Sequence, residues 1–167
     1  MDVDKLDGYT FERLICNLLK KMGFNVEHTV LSGDGGVDIV AEHNQAILRG
    51  RYLVQCKRWI NTVGEPVVRD MFGTVLASHA NKGIIITNSF FSEKAKLFAE
   101  GKNIELIDGN SLNQLLIQYE VTDDDSLYIS FQNDHKTGHF RPPSRPNSTI
   151  VTSVKANLSF YSIGNVA

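Results

Sequence analysis

The sequence predicts an α/β domain in which helices flank a mixed β-sheet. Three observations lead to this prediction: an amphipathic helical pattern near the start, three strand patterns joined by turns, and then helices that alternate with short apolar strands. The three strands and their short connections are typical of an antiparallel meander. The complete order is α-β-β-β-α-β-α-β-α, which implies a mixed sheet with helices on both faces.

The first half of this order begins with a helix over residues 9–22. Its apolar side chains recur at spacings of three and four residues, Asp7 suits the N-cap, and Gly23 suits the end of the helix. The strands that follow cover residues 24–31, 36–43 and 51–58. The Gly-rich turn SGDGG joins the first two strands, and a loop around residues 44–50 joins the second and third.

The second half alternates helices with buried strands. Pro66 suits the first position of a helix whose apolar stripe continues to about residue 80. Ser92 suits the N-cap of a helix that ends near residue 101. The continuous apolar run GIIIT is typical of a strand that is covered on both faces. The remaining predicted ranges are strands over residues 83–87 and 104–107 and a final helix over residues 110–118.

The character of the chain changes near its end. We predict one folded domain over residues 1–119, followed by a polar and Pro-rich linker or long loop over residues 120–149. Residues 127–131 and 150–163 alternate like strands, and residues 150–167 are predicted as a short β-type tail. A β-type tail of this length is marginal on its own, and its role is left open.

The composition of the 167 residues is ordinary for a soluble protein, with 42% hydrophobic and 22% charged residues. A net charge of −2 excludes an overall basic field but allows a local basic patch for nucleic acid. Cys16 and Cys56 fall in apolar patterns, so we expect reduced, buried thiols rather than a disulfide or a zinc site. The acidic start MDVDKLDG is unlike a signal peptide, and no apolar run reaches the ~20 residues of a membrane span. We therefore expect a cytoplasmic protein without a membrane partner.

Asp38, Gln55 and Lys57 form the set of residues with the clearest chemistry. Gln55 and Lys57 are two residues apart in LVQCK, so alternation places them on one face of a strand. Asp38 lies between apolar neighbours in GVDIV, where a carboxylate needs a partner or an ion. If the two strands pair as a hairpin, Asp38 faces Gln55 and Lys57 at about 5 Å. A carboxylate, an amide oxygen and an ammonium group would then converge.

Such a set suits phosphodiester hydrolysis with a divalent cation. Mg²⁺, or Mn²⁺ in its place, takes oxygen ligands and needs only one or two protein carboxylates besides a substrate phosphate. Asp38 offers a charge, Gln55 a carbonyl oxygen, and the main chain of Cys56 a second carbonyl oxygen. Lys57 can hold or deprotonate the attacking water and stabilise charge on the phosphate. On spacing alone, an ion pair between Asp38 and Lys57, with Gln55 as a hydrogen-bonding neighbour, explains the residues equally well.

The same residues resemble a known family. The segment GYTFERLICNLLKKMGFNVEHTVLSGDGGVDIVAEH, followed by YLVQCKRW, resembles the catalytic domain of Mrr-type restriction endonucleases, which belong to the PD-(D/E)xK nuclease superfamily. The resemblance runs from about Gly8 to near Leu116. Its most specific marks are the FE pair of the first helix, the GDGGVD turn and the QCK strand, in this order and spacing. It implies a restriction-endonuclease-like mixed β-sheet flanked by helices, with residues 1–119 as the catalytic domain.

The resemblance also implies roles for individual residues. Asp38 matches the metal-binding Asp of the superfamily, and Gln55 and Lys57 match its (D/E)xK pair in the QxK form. Glu12 matches a first-helix Glu that is often placed near the metal. Gln55 removes one negative ligand, which weakens metal binding, and Glu12 is the candidate to supply the missing carboxylate. The alternative for Glu12 is a first-turn acid that favours the helix dipole.

Further candidates surround this set. Asp34 can reach the metal or stabilise the turn, and we favour the turn role. Gly35 and Gly36 permit close approach of the backbone to a phosphate. The candidate phosphate contacts are Arg58, Arg51 and Arg69. We expect Trp59 to pack rather than to stack.

We therefore expect a Mg²⁺-dependent DNA endonuclease that acts in restriction or defence against foreign DNA. One alternative is a catalytically inactive nuclease-like module that binds DNA, and another is a nuclease selective for branched DNA or for RNA. DNA is the expected partner. Because two nicks on opposite strands require two active sites, a homodimer or higher oligomer is a further expectation. The sequence indicates neither a recognition sequence nor a modified-base preference.

Overall fold

The computed structural model describes residues 2–28 and 36–122 of the chain. These residues form a five-stranded sheet in the spatial order β1-β2-β3-β4-β5. The strands are β1 (Asn25–His28), β2 (Ile39–His43), β3 (Gly50–Lys57), β4 (Lys82–Thr87) and β5 (Ile104–Ile107). The helices are α1 (Gly8–Lys21), α2 (Glu65–Ser78), α3 (Glu93–Ala99) and α4 (Gly109–Gln118), preceded by a short 3₁₀ helix at Val3–Lys5. The predicted element order is confirmed, and the 3₁₀ helix is an addition to it.

The sheet combines an antiparallel half with a parallel half. β1, β2 and β3 pair antiparallel, which confirms the predicted meander. β3, β4 and β5 pair parallel, because α2 and α3 carry the chain back between them. The carboxyl ends of these three parallel strands meet at one edge of the sheet. Loops that are far apart in the sequence therefore become neighbours at this edge.

Two apolar clusters fill the space between the sheet and its helices. The buried residues of the first cluster, under α1 and α4, include Phe11, Leu14, Val54, Ile86 and Leu112. Those of the second, under α2 and α3, include Leu53, Val68, Met71, Ile85 and Ala95. Successive residues of β4 alternate between the two clusters, so β4 is covered on both faces as predicted. Since burial of one large apolar side chain contributes roughly 1.5–3 kcal/mol, these clusters are the main source of stability.

Side chains cap the start of three helices. Asp7 accepts a hydrogen bond from Thr10 N at 2.7 Å, Ser92 accepts one from Ala95 N at 3.2 Å, and Asp108 accepts one from Ser111 N at 2.8 Å. The predicted caps of α1 and α3 are confirmed. α2 begins at Glu65, with extended Gly64 as the N-cap, so Pro66 is the second residue rather than the first. Proline is tolerated there because the first helical turn needs no N–H donor.

Some predicted bounds differ from the structure. The second strand begins at Ile39 rather than at residue 36, because Gly36 has a φ of +80° and cannot continue an extended strand. The third strand lies one residue earlier than predicted. The predictions for the Gly-rich turn and the tail fall on residues 29–35 and 123–167, which lie outside the described residues. Among the residues that are described, no helix combines the length and the apolarity needed to cross a membrane.

Candidate active site

β3 presents different chemistry on its two faces. Val54 and Cys56 pack in the first apolar cluster, under α1 and α4. Leu53 packs in the second cluster, under α2 and α3. Because strand side chains alternate, Gln55 and Lys57 lie on the same face as Leu53. The two polar residues thus share one side of the strand, as predicted.

The Asp38 carboxylate contacts the main chain of Cys56, the residue between Gln55 and Lys57 in β3. Asp38 Oδ2 accepts a hydrogen bond from Cys56 N at 2.6 Å. Asp38 N donates to Val54 O at 2.9 Å, so the residue extends the β2–β3 ladder by one step. An ionised acceptor makes such a bond shorter and stronger than a neutral one. The predicted β2–β3 hairpin is confirmed, and it brings Asp38 to the two polar residues of β3.

Gln55 is buried, with only 5% of its surface exposed, and its amide lies against the backbone of Gly36. A β-carbon at Gly36 would clash with Gln55 Nε2, and the φ of +80° there also favours glycine. The amide oxygen Oε1 is buried and has no hydrogen-bond partner within residues 2–28 and 36–122. A buried acceptor without a partner costs about 1–3 kcal/mol, so such an atom calls for a functional explanation. A carbonyl oxygen fixed in this way fits a hard cation such as Mg²⁺.

Lys57 is the last residue of β3 and is half-buried. Its carbonyl oxygen accepts a hydrogen bond from Thr87 Oγ1 at 2.6 Å, and the same hydroxyl accepts one from Ser89 N at 3.1 Å. These bonds tie the end of β3 to the end of β4. Lys57 Nζ lies 5.8 Å from the centre of the Trp59 ring, within the range of a cation–π interaction. The lysine is therefore anchored at the carboxyl edge of the sheet by a fixed main chain.

Glu12 is the fifth residue of α1 and lies beyond its first turn. The alternative in which Glu12 acts as a first-turn acid is therefore wrong. Burial raises the pKa of the Cys56 thiol well above its ordinary value, and the negative charges of Asp38 and Glu12 raise it further. The role of Glu12 as a further carboxylate near the metal stays a prediction.

Both cysteines are free thiols, and Cys16 is buried whereas Cys56 is partly buried. Burial also raises the pKa of Cys16, to about 11. At neutral pH both thiols therefore keep their protons, and neither is a reactive nucleophile. The prediction that both cysteines lie in apolar surroundings is confirmed, and their reduced state stays a prediction.

The donors at the site are mostly neutral. Within the described residues, no three His, Cys, Asp or Glu side chains are arranged to hold a metal ion. The site instead combines the Asp38 carboxylate with the amide oxygen of Gln55 and the main chain of Cys56. Asp34 and Gly35 lie outside the described residues. This donor set fits an oxygen-preferring cation that is held weakly, as the neutral Gln55 leads us to expect.

The three arginines predicted to contact phosphate lie in different places. Arg58 follows β3 directly, and its Nη2 donates to a main-chain carbonyl of the 3₁₀ helix at 3.1 Å. Arg51 lies near the other end of β3, six residues and roughly 20 Å from Lys57. Arg69 pairs with Glu65 on the surface of α2 and stacks over a ring of α3, 4.6 Å from its centre. Of the three, the structure groups Arg58 with Lys57.

Trp59 is 43% exposed, so its ring is only partly covered and the expectation that it packs stays a prediction. Its main-chain N–H donates to Asn88 Oδ1 at 2.8 Å, which joins the loop after β3 to the loop after β4. Sequence reasoning missed Asn88 and Thr87 as residues that build the site. Asn and Thr are common where strands end, and these contacts join residues about thirty positions apart, so no local pattern reveals them.

The mixed sheet and its flanking helices define a restriction-endonuclease-like α/β protein. The Mrr catalytic-domain family model, with the description restriction endonuclease, matches residues 3–116. The match covers more than half of the chain, and the chain belongs to this family of restriction endonucleases.

Individual relatives agree with this family. The type IV methyl-directed restriction enzyme EcoKMrr of Escherichia coli strain K12 is 35% identical over 117 residues. That match covers 66% of this chain but only 38% of EcoKMrr. The match therefore spans less than half the length of that enzyme.

Solved structures show the same fold. A protein of unknown function, AF1548, superposes with a TM-score of 0.58 at 23% identity, over 68% of this chain and 67% of that one. The DNA modification-dependent restriction endonuclease AspBHI superposes with a TM-score of 0.57 at 15% identity, over 82% of this chain and 41% of that one. At such identities the likeness concerns the fold alone, and it confirms the predicted fold class.

Proposed function

We propose that this chain is a metal-dependent DNA endonuclease that hydrolyses phosphodiester bonds in restriction or defence against foreign DNA. The observation that carries the proposal is the grouping of Asp38 with Gln55 and Lys57 at the end of β3. There the Asp38 carboxylate accepts a hydrogen bond at 2.6 Å from the main-chain N–H of Cys56, the residue between Gln55 and Lys57 in the sequence. The family of restriction endonucleases to which the chain belongs supports the same chemistry.

Mg²⁺, or Mn²⁺ in its place, is the cofactor that we propose. Asp38, the amide oxygen of Gln55 and the main-chain carbonyl of Cys56 would hold it, and Glu12 would add a second carboxylate. When bound, such a cation polarises the phosphate and lowers the pKa of a bound water. The unsatisfied Oε1 of Gln55 supports this donor set. Gly36 keeps that amide in place, because a side chain at this position would displace it.

Lys57 acts on the water and on the phosphate in this proposal. Its ammonium group donates hydrogen bonds to phosphate oxygens as negative charge develops on them in the transition state. In its neutral form the same nitrogen accepts the proton of the attacking water. The hydrogen bond from Thr87 to the Lys57 carbonyl fixes the main chain, so that only side-chain torsions remain to be ordered. Arg58, next along the chain, is the proposed contact to a flanking phosphate.

The substrate and the assembly are proposed only at a coarse level. EcoKMrr is methyl-directed, but the matched part is 38% of its length, so we assign no modified base or recognition sequence to this chain. A break in both strands requires two active sites. We therefore propose that a homodimer or higher oligomer forms on DNA.

A second candidate is a module that binds DNA without cutting it. The neutral Gln55 favours it, as does the lack of a three-acid cluster within residues 2–28 and 36–122. The presence of Lys57 one residue after Cys56, whose N–H binds the Asp38 carboxylate, favours cleavage, because binding alone does not require a lysine at this position. A nuclease for branched DNA or RNA would share the same site.

Cleavage of supercoiled plasmid with Mg²⁺ tests the proposal. The variants are Asp38→Asn, which keeps an oxygen able to accept from Cys56 N, and Lys57→Ala, with the exposed Lys94→Ala on α3 as the matched control. We expect wild type and Lys94→Ala to cut alike and the other two to lose about 10²-fold or more. Equal rates in all four proteins would contradict the assignment. DNA binding in EDTA without cleavage of plasmid, branched DNA or RNA would establish the second candidate instead.

A further inference from the structure

Three apolar side chains stand exposed beside the candidate active site. Trp59 is 43% exposed, Ile60 97% and Phe90 56%. The first two follow β3, and Phe90 follows β4, so the parallel pairing of these strands brings them to one edge. We call these three residues the apolar shelf. Exposed apolar groups that cluster in this way mark an interaction site more often than isolated ones do.

The main chain under the shelf is firmly held. Trp59 N donates to Asn88 Oδ1 at 2.8 Å. Val63 N donates to Phe90 O at 2.8 Å, and Ser92 N donates to Val63 O at 2.9 Å, which makes a short parallel bridge between the two loops. Backbone groups that are paired in this way resist local opening. The three side chains of the shelf are therefore exposed on loops whose main chain is held by hydrogen bonds.

The N-terminal 3₁₀ helix braces the same loops. Asp4 Oδ1 accepts from Asn88 Nδ2 at 2.9 Å, and the carbonyl of Asp4 accepts from Arg58 Nη2 at 3.1 Å. Asn88 thus contacts Trp59 through its oxygen and Asp4 through its nitrogen. Both polar ends of one side chain are used to hold Trp59 beside Lys57.

The shelf borders a cleft of about 340 Å³, whose lining includes Arg58, Trp59, Ile60 and Phe90. This volume is at the lower end of the range for small-molecule sites, which suits a group of nucleoside size. The Trp59 ring lies 5.8 Å from Lys57 Nζ. A strand whose phosphate meets Lys57 therefore brings an adjoining nucleobase within reach of the Trp59 ring.

We propose that Trp59 stacks on an unstacked nucleobase next to the scissile phosphate, with Ile60 and Phe90 as apolar support and Arg58 as the adjacent phosphate contact. This inference rests on the proposed nuclease function and adds a positioning surface to it. Arg58 in the lining of the cleft and Lys57 beside the Trp59 ring supply positive charge, which favours a nucleic acid over an apolar protein partner. In an intact duplex the faces of each base are covered by its neighbours, so the shelf favours single-stranded or locally opened DNA.

Trp59 is the single tryptophan of the chain, so its fluorescence reports on the shelf directly. The experiment titrates the full chain in EDTA with a short single-stranded oligonucleotide and with the duplex of the same sequence, while anisotropy of a dye on the DNA measures binding. We expect quenching that follows binding and is stronger for the single strand. Binding to saturation without a change in emission would overturn the proposal.

Substitutions give a second readout that does not depend on cleavage. We expect Trp59→Ala to raise the Kd for the single strand about 10-fold and Trp59→Phe to raise it less, because a smaller ring still stacks. Ile117→Ala removes an exposed apolar side chain from α4, away from the shelf, and should leave the Kd unchanged. An unchanged Kd in Trp59→Ala would overturn the proposal, as would self-association of the wild type that Trp59→Ala abolishes.

These readouts separate the two proposals. Quenching and a Trp59-dependent Kd without cleavage of any substrate would refute the nuclease function and leave the stacking surface standing. Cleavage that depends on Asp38 and Lys57, together with no quenching, would refute the stacking surface alone.

Discussion

The two faces of β3 are buried to nearly the same extent but serve different purposes. Val54, toward α1 and α4, has none of its surface exposed, and Gln55, toward α2 and α3, has 5%. Val54 is packed among apolar side chains, whereas the amide oxygen of Gln55 has no hydrogen-bond partner in the described part of the chain. Burial alone thus does not separate core from site. On β3 the difference lies in the unsatisfied amide oxygen of Gln55, because burial of an unpaired acceptor does not stabilise the fold.

The largest effect on cleavage is expected from a substitution on the face of β3 that carries Gln55 and Lys57. Lys57→Met keeps an unbranched chain of four heavy atoms and removes the ammonium group, so we expect cleavage to fall by about 10³-fold. The free energy of unfolding should change by less than about 0.5 kcal/mol, because the anchoring bond from Thr87 goes to the main chain of Lys57. Plasmid cleavage and urea unfolding measure the two quantities. A large loss of stability with normal cleavage would contradict this comparison, because Lys57 would then serve the fold rather than the site.

The next effect tests how Gln55 is held. Gly36→Ala puts a β-carbon into the Gln55 amide and strains a residue with a φ of +80°. We expect a loss of about 2–3 kcal/mol in the free energy of unfolding together with a loss of cleavage. Gly73→Ala on α2 is the matched control, because nothing lies within 4 Å of the added carbon. A fully active Gly36→Ala variant would mean that the position of the amide is unimportant.

The apolar face should show the opposite behaviour. Val54→Ala removes two methyl groups from a fully buried site and should cost about 2 kcal/mol of unfolding free energy. We expect its cleavage rate per folded molecule to stay within about twofold of wild type, since Val54 points away from Lys57. Urea unfolding and plasmid cleavage at a temperature where the variant remains folded check this. Loss of cleavage without loss of stability would show that the two faces are coupled.

The smallest expected effect concerns pH. Because burial raises the pKa of Cys16 from 9.0 to about 11, the unfolded chain loses this proton at lower pH than the folded one. The stabilisation is complete below pH 9 and is lost as pH rises toward 11, by about 1 kcal/mol between pH 8 and pH 10. Cys16→Ala should remove that part of the pH dependence of unfolding. A variant with the same slope as wild type would show that Cys16 does not titrate in this window.

The order of the elements could be predicted because hydrophobic period and turn residues act locally. Alternation in LVQCK placed Gln55 and Lys57 together, and the short connection between β2 and β3 brought Asp38 to them. These are consequences of strand geometry, which a sequence expresses directly.

The rest depends on contacts between distant residues. The exposure of Trp59 follows from the pairing of β3 with β4 and from the side chain of Asn88, 29 positions away. The fit of Gly36 to the Gln55 amide likewise depends on where a turn meets a strand. Glycine and asparagine are common in loops for many reasons, so their presence alone does not predict such contacts.

Binding of Mn²⁺ measured by calorimetry on wild type, Gln55→Leu and Gln55→Glu tests the central claim most directly, that the amide oxygen of Gln55 and the Asp38 carboxylate hold the metal. We predict one site per chain whose affinity rises about tenfold in Gln55→Glu, where a charge is restored, and falls about tenfold in Gln55→Leu. Asp38→Asn should abolish the binding. Equal affinities in wild type, Gln55→Leu and Gln55→Glu would contradict the assignment of Gln55 as a ligand.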